Sequence, residues 1–342
     1  MKKVNVKCLL TLPLKYCTLN LTLYQQEYFK YKNIQSLDKE PINLYQPITY
    51  ILGLKGKKIR PILTLMAAHL FSEEYLNALP VAYAIEMFHN FTLVHDDIMD
   101  DAPLRRGKET VHEKWDINTG ILSGDAMLIL TYKHLEIYSP ATFHKLCKTL
   151  SRTAIEVCEG QQLDIDFETR TDVTINEYIT MISLKTSVLI GAALQMGAIV
   201  SNATEQNAQK LYDFGLNLGI AFQLQDDYLD TFGDPEKFGK QVGGDIIENK
   251  KTFLYLRTRE LATPNDLIIL EKLFASKQTI ENKLKIESVK QLFNKYNISH
   301  FVKEQIDFYT NKAFIVLDDM NISEQKKDEL KSFGTELMRR NV

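Results

Sequence analysis

Helix-breaking residues are scarce in this sequence. There are 9 prolines and 15 glycines in 342 residues, most of them between periodic segments. No Asn-Gly or Asp-Gly turn joins alternating runs, which excludes a β-sandwich or barrel. Cysteine is also scarce. Cys8, Cys17, Cys147 and Cys158 show no CxxC and no metal-type spacing. They exclude a disulfide framework and read as buried or free thiols in a reducing compartment, hence a cytoplasmic protein. Neither sign of charge dominates: 41 Lys and Arg against 44 Asp and Glu give a net charge of -3, with no basic tail. No nucleic-acid partner is expected. No apolar run approaches the roughly 20 residues that cross a bilayer, so no transmembrane segment is expected. Lys2, Lys3 and the run Cys8–Leu14 resemble a signal peptide slightly. The run is too short, however, and no A-x-A-like site follows.

What the sequence does have is helical period. Apolar spacing predicts helices over Leu21–Ile34, Ile42–Leu54, Ile59–Phe71, Ala78–Asp100, Ile117–Tyr138 and Ala141–Leu163. It predicts more over Ile175–Ile199, Glu205–Thr231, Lys250–Glu260, Ile286–Tyr296, His300–Leu317 and Glu324–Arg339. Thr174 with Glu177 reads as a capping box. No repeat or low-complexity linker divides the chain. The expectation is one all-α domain over 41–342, preceded by an N-terminal extension and first helix over 1–40 that is partly disordered. The helices Ala78–Asp100 and Glu205–Thr231 are apolar on most sides, as helices at the centre of a bundle are. Bundle cores are where facing helices build metal sites.

Both central helices end in one acidic pattern, Asp96-Asp97-Ile98-Met99-Asp100 and Asp226-Asp227-Tyr228-Leu229-Asp230. Residues four apart share a helix face at about 6 Å. Carboxylates at the end of an apolar rod are costly without compensation. Oxygen ligands with room for water suit Mg²⁺, and Mg²⁺ suits a diphosphate. Either patch alone reads as a solvated helix end; the pair on apolar helices reads as a metal site. Basic residues accompany them: Arg105-Arg106-Gly107, Gly56-Lys57-Lys58-Ile59-Arg60-Pro61, Lys185-Thr186, Lys240 and Lys250-Lys251. Arginine forks fit phosphate oxygens and lysines add point charge.

In this order, the motifs resemble those of the trans-isoprenyl diphosphate synthases, the polyprenyl synthetases. His95–Asp100 with Arg105-Arg106-Gly107 is similar to their first aspartate-rich motif, and Phe222–Asp230 to their second. Gly56–Pro61 resembles their GKRxRP stretch, with Lys58 in place of arginine. Gly160-Gln161-Gln162-Leu163-Asp164 matches GQxxD. Gly239–Asp245 through Lys250-Lys251-Thr252 resembles the loop after the second motif, with Asn249 where glycine is usual. The resemblance runs from about residue 44 to the C-terminus.

It implies a bundle of antiparallel helices around a deep central pocket, usually a homodimer. It implies Mg²⁺-dependent condensation of isopentenyl diphosphate with an allylic diphosphate (dimethylallyl, geranyl or farnesyl). By resemblance, Asp96, Asp100 and Asp226 are direct ligands of about three Mg²⁺ ions, and Asp97, Asp101, Asp164, Asp227 and Asp230 support or extend that set. Arg105, Lys185, Thr186, Gln223 and Lys240 match allylic-diphosphate contacts. Lys57, Arg60, His89 and Arg106 match isopentenyl-diphosphate contacts, with Gly56 and Lys250 beside the substrates.

Phe91 lies five residues before Asp96, about 7.5 Å deeper along the helix, and Phe88 about 12 Å deeper. In the resembled family, bulk at the Phe91 position limits the growing chain. Here Phe91 is followed by a small Thr92, and the first motif has no two-residue insertion. That combination resembles the archaeal-type geranylgeranyl synthases and favours a C20 product over C15. Two alternatives are a class I terpene cyclase and a non-catalytic regulatory subunit. The cyclase is disfavoured by the second Asp-rich motif and by Gly56–Arg60, the subunit by the presence of both motifs.

Overall fold

The computed structural model describes residues 13–234, 242–275 and 281–338, with side chains from residue 21 onward. Among the described residues, regular structure is helical apart from one two-residue ladder. The chain forms two compact units. One lies within Met1–Arg152 and Ala192–Tyr212, the other within Thr153–Gly191 and Asp213–Val342.

The first unit contains α1 (Pro13–Ile34), α2 (Ile42–Gly53), α3 (Ile59–His69), a 3₁₀ turn (Tyr75–Ala78) and α4 (Leu79–Met99). The short strands β1 (Leu104–Arg105) and β2 (Lys108–Glu109), then α5 (Val111–Lys114), α6 (Ile117–Lys133) and the start of α7 (Pro140–Thr169) follow. α4 is the core helix of this unit and packs on α6, α3, α1 and α2. Val81, Ala82, Ala84, Ile85, Met87 and Phe88 on it are essentially inaccessible. Apolar residues all round the helix are what permit that position. The carboxylate of Asp116 caps α6 by accepting from Thr119 N at 2.8 Å.

The second unit takes the end of α7, α8 (Ile175–Ile182), a π turn (Ser183–Ser187), the start of α9 (Val188–Val200) and most of α10 (Glu205–Phe232). It continues with α11 (Gly244–Ile247), α12 (Phe253–Leu261), α13 (Pro264–Leu273), α14 (Asn282–Lys295), α15 (Ile298–Asp318) and α16 (Glu324–Met338). Its core gathers Tyr178, Leu224, Leu254, Leu270, Val289, Phe293 and Val302. The capping box is present as expected. Thr174 Oγ1 accepts from Glu177 N at 3.2 Å, and Glu177 Oε2 accepts from Thr174 N at 2.9 Å.

The structure differs from the sequence expectations at several places. α13 was not anticipated, although Thr263 caps it and Pro264 occupies its first turn. α7 extends to Thr169 and α6 stops at Lys133. A hairpin joins β1 to β2 with no Asn-Gly or Asp-Gly at its turn. Arg106 (φ 56°) and Gly107 (φ 73°) supply two successive left-handed residues. A two-residue hairpin turn of the primed type needs that pair. The stretch Ile175–Val200 is long and apolar enough to cross a bilayer by length and composition, where no such run was expected. Within its 18-residue apolar window, 72% is buried in the protein, as in a core helix.

Candidate active site

In the first unit, the last turns of α4 carry the first aspartate-rich motif. Asp96 is half-buried, Asp97 buried and Asp100 exposed at the C-cap. The hairpin turns the chain back so that Arg105 Nε donates to Asp97 Oδ1 at 2.8 Å, with Nη2 donating to the same oxygen. Burial pushes the Asp97 carboxyl above the usual carboxylate range, and the bonded Arg105 pulls against that. Asp97 Oδ2 is buried with no protein partner.

About three turns deeper along α4, a buried acid gathers the basic residues. Lys58 Nζ donates to Glu86 Oε1 at 2.9 Å, and Asn90 Nδ2 donates to the same oxygen at 3.2 Å. Both charged side chains of this pair are 3% exposed. Lys58 reaches Glu86 from a left-handed backbone (φ 49°) at the N-cap of α3. The field of Glu86 acts on Arg60 and Arg106 as well. Burial lowers the Arg60 guanidinium to about 10 while Glu86 opposes that, so it stays charged at neutral pH. The Arg106 guanidinium lies directly on Gly56. A methyl group there would sit 2.9 Å from Nη1, so Gly56 leaves the space the arginine occupies. His89 is held well below its ordinary value, first by burial and then by Arg60, Arg106, Lys58 and Arg105. It is a neutral imidazole among cations. Lys57 is exposed beside this group.

Below the acidic end of α4, the rings of Phe88 and Phe91 meet edge-on at 5.5 Å, and Phe91 meets His95 at 4.9 Å. Thr92 donates to the His89 carbonyl at 2.9 Å.

In the second unit, a cavity of about 250 Å³ is lined by Asp164, Lys185, Thr186, Gln223, Asp226 and Asp227, with Tyr178, Asp245 and Lys250. Lys185 and Thr186 reach it from the π turn at Ser183–Ser187, where the helix under-winds. Two glycines let other helices approach that turn. A methyl group on Gly160 would lie 2.2 Å from Lys185 N, and one on Gly219 would lie 2.7 Å from Ser187 Cβ. Lys185 Nζ bonds Asp164 Oδ2 at 2.5 Å. Thr186 Oγ1 donates to Gln223 Oε1 at 3.2 Å, and Gln223 Nε2 donates to Asp227 Oδ1 at 2.9 Å. The Tyr178 hydroxyl donates to Asp227 Oδ2.

Asp227 is pushed well above the usual carboxylate range by burial, against the Tyr178 and Gln223 donors, with Asp226 and Asp230 adding to the rise. Burial and the charges of Asp227 and Asp230 raise Asp245 likewise. Asp230 Oδ2 accepts from Asp245 N at 3.1 Å, tying α10 to α11. Lys250 pairs with Glu248 at 3.1 Å. Lys240 lies outside the described residues.

Each unit thus brings its own sequence-predicted residues together. Glu86, Tyr178 and Asp245 were missed. A lone glutamate in the apolar run Val81–Phe88 was a readable signal for the first. Tyr178 gave none, because its partner lies 49 residues away. Asp245 fell in the loop that resembles the family's, but its burial depends on tertiary packing.

An all-α protein with two aspartate-ended core helices, each beside fixed cations, belongs to the class that handles diphosphates. Comparison with known proteins agrees. The polyprenyl synthetase family profile matches residues 41–293. A geranylfarnesyl diphosphate synthase of Natronomonas pharaonis is 34% identical over 306 residues, 82% of this chain and 89% of that one. A geranylgeranyl diphosphate synthase of Methanosarcina mazei is 38% identical over 263 residues, 75% and 81% of the two chains. A crystal structure of a geranylgeranyl pyrophosphate synthase superposes with a TM-score of 0.87 at 49% identity, covering 95% of this chain and 99% of that one. The chain belongs to the polyprenyl synthetase family and is a prenyltransferase.

Proposed function

We propose that the protein condenses isopentenyl diphosphate with an allylic diphosphate to give a short-chain all-trans prenyl diphosphate and diphosphate, C20 favoured over C15. The carrying observation is a cation set beside each aspartate-rich helix end: Arg105 bonded to Asp97 in one unit, and in the other Lys185, bonded to Asp164, in the cavity that Asp226 and Asp227 line. Relatives that make geranylgeranyl and geranylfarnesyl diphosphates support the short product. The family match from residue 41 supports a catalytic domain over 41–342. Cytoplasmic location and a homodimer belong to the same reading. On α6, Ile117, Ile121, Leu122 and Ile129 are 42–67% exposed, apolar surface that a second copy would cover.

The acidic set fits Mg²⁺. Its donors are all oxygens, Asp97 Oδ2 is buried and unpartnered, and burial with mutual repulsion raises Asp227 and Asp245, a penalty that added positive charge relieves. Asp96, Asp100 and Asp226 would hold the ions, about three in all, with Asp97, Asp164, Asp227 and Asp230 orienting or extending the set. Bound Mg²⁺ neutralises charge that collects on the departing diphosphate.

The chain's own residues do the rest. Arg105, Lys185, Thr186, Gln223 and Lys240 hold the allylic diphosphate, where fixed positive charge stabilises the leaving group as the allylic C–O bond breaks. Lys57, Arg60, His89 and Arg106, with Gly56 among them, hold isopentenyl diphosphate, and Lys250 contributes to substrate binding from the second unit. The neutral His89 ring supplies a donor without displacing the cations. The isopentenyl double bond supplies the electron pair for the new C–C bond. A proton then leaves the adjacent carbon, and the freed diphosphate accepts it. Phe88 and Phe91 line the apolar floor and keep water from the cation.

The test is incorporation of labelled isopentenyl diphosphate into an allylic primer, with Mg²⁺ and with EDTA. Elongated diphosphate that EDTA abolishes supports the reading. Released hydrocarbon would instead indicate a terpene cyclase, and no turnover a regulatory subunit.

A further inference from the structure

Outside the aspartate-rich motifs, the two ends of the hairpin bring three ligating side chains together. Asp101 is the first residue beyond the C-cap of α4, in a left-handed conformation (φ 50°). His112 and Glu113 stand in α5, just past β2. The chain between Asp101 and His112 is the hairpin that presents Arg105 and Arg106. One ligand atom from each of Asp101, His112 and Glu113 lies within 4.8 Å of the other two.

The second observation concerns His112 alone. Its side chain is 4% exposed, and neither ring nitrogen has a hydrogen-bond partner. A neutral imidazole still carries one donor and one acceptor, and burying both unmade is costly. Nε2 lies 3.7 Å from Glu113 Oε1, too far for a hydrogen bond. An imidazole lone pair left open beside two carboxylates is the signature of a missing electrophile rather than of packing.

We propose that Asp101, His112 and Glu113 bind a divalent transition-metal ion of the Zn²⁺ kind, separate from the Mg²⁺ of the aspartate-rich motifs. The donor set selects the ion. One imidazole nitrogen with two carboxylates suits Zn²⁺, whereas Mg²⁺ takes oxygen ligands and keeps its water. Zn–ligand bonds of about 2.0–2.2 Å put neighbouring ligand atoms roughly 3.3–3.5 Å apart in a tetrahedron. The donors start within 4.8 Å. Asp101 and Glu113 are exposed and can rotate inward, while buried His112 fixes the centre. The ion ties the end of α4 to α5 and clamps both ends of the hairpin that carries the diphosphate-facing arginines. Three protein ligands leave one position for water.

The experiment uses the full chain in excess Mg²⁺, which fills the oxygen sites, and titrates Zn²⁺ by calorimetry. Replacement of core residue His112 perturbs folding, so the exposed carboxylates carry the test through the double variant Asp101→Asn, Glu113→Gln. The wild type is expected to bind one Zn²⁺ more than this variant. Alternatively it binds Zn²⁺ more tightly by at least the roughly 10–100-fold that even an outer partner is worth. X-ray absorption of the bound ion is expected to show one imidazole nitrogen. Equal stoichiometry and affinity in the two proteins would overturn the proposal, as would a bound ion with oxygen neighbours alone. Either result would leave His112 as a buried side chain beside Glu113 without a metal role.

Discussion

Glu86 sets the charge balance on which Lys58, Arg60 and Arg106 all depend, and its role shows what residue-level reading finds and misses. The basic residues were legible because they fall in ordered, spaced motifs. Their counter-ion was not, because an acid buried at 2% exposure inside an apolar helix is visible only as an oddity in the pattern. Lys58, where the resembled family has arginine, still finds Glu86, so the departure is absorbed as a single-point contact instead of a fork. At this scale the proposed metal roles are open to direct test. Asp96→Ala and Asp226→Ala should each lower kcat by several orders of magnitude while circular dichroism stays unchanged. Near-normal turnover in either would refute the ligand assignment. Phe91→Ala should lengthen the product, since it removes the ring packed between Phe88 and His95. Chromatography showing the same chain length as wild type would remove Phe91 as the limit.

At the scale of elements, most helices were readable from period alone because tertiary packing buries the same stripe that the sequence displays. Several were not, the short α5 and α11 among them, and three show why. The hairpin turn uses Arg106 in a left-handed conformation where Asn or Gly is the usual sign, and its cost is met by tertiary contact with Gly56. The π turn at Ser183–Ser187 has no composition signal; it exists because Gly160 and Gly219 admit close neighbours. Gly160→Ala places a methyl 2.2 Å from backbone nitrogen, and backbone cannot rotate aside as a side chain can. A loss of about 1–3 kcal/mol in urea denaturation is expected, together with a raised KM for the allylic substrate as Lys185 shifts. Unchanged stability and KM would mean that the close approach is unimportant.

α13 differs from these two because its signal was present: Thr263, Pro264 and Asp266 form a start sequence. Asp266 carries a further consequence. Bonds from Lys295 and Tyr296 lower its carboxyl to about 2 in the folded protein, against about 3.9 unfolded. A depressed folded value stabilises above the unfolded value and is lost as pH falls toward the folded one. Asp266→Asn should therefore be less stable than wild type at neutral pH, and the gap in urea midpoints should narrow below about pH 4. A gap that stays constant down to about pH 3 would contradict the assignment.

For the whole molecule, composition and motif order were enough to specify an all-α prenyltransferase, because the chemistry needs particular residue types at particular helix ends. Assembly was less legible. Ile117, Ile121, Leu122 and Ile129 of α6 are plainly apolar in the sequence, and only the fold shows that they are left exposed. If that surface joins two copies, sedimentation of the wild type gives a dimer, and Ile121→Glu shifts it toward monomer with secondary structure intact. A wild-type monomer at micromolar concentration would exclude the dimer.

Product identity tests the central claim most directly. Purified protein is given Mg²⁺, labelled isopentenyl diphosphate and, in separate reactions, a C5, C10 or C15 allylic diphosphate. The products are dephosphorylated and separated by chain length. The account predicts that the accepted primers converge on one all-trans C20 alcohol. A product ending at C15, a cyclic hydrocarbon, or no incorporation from any primer would contradict it.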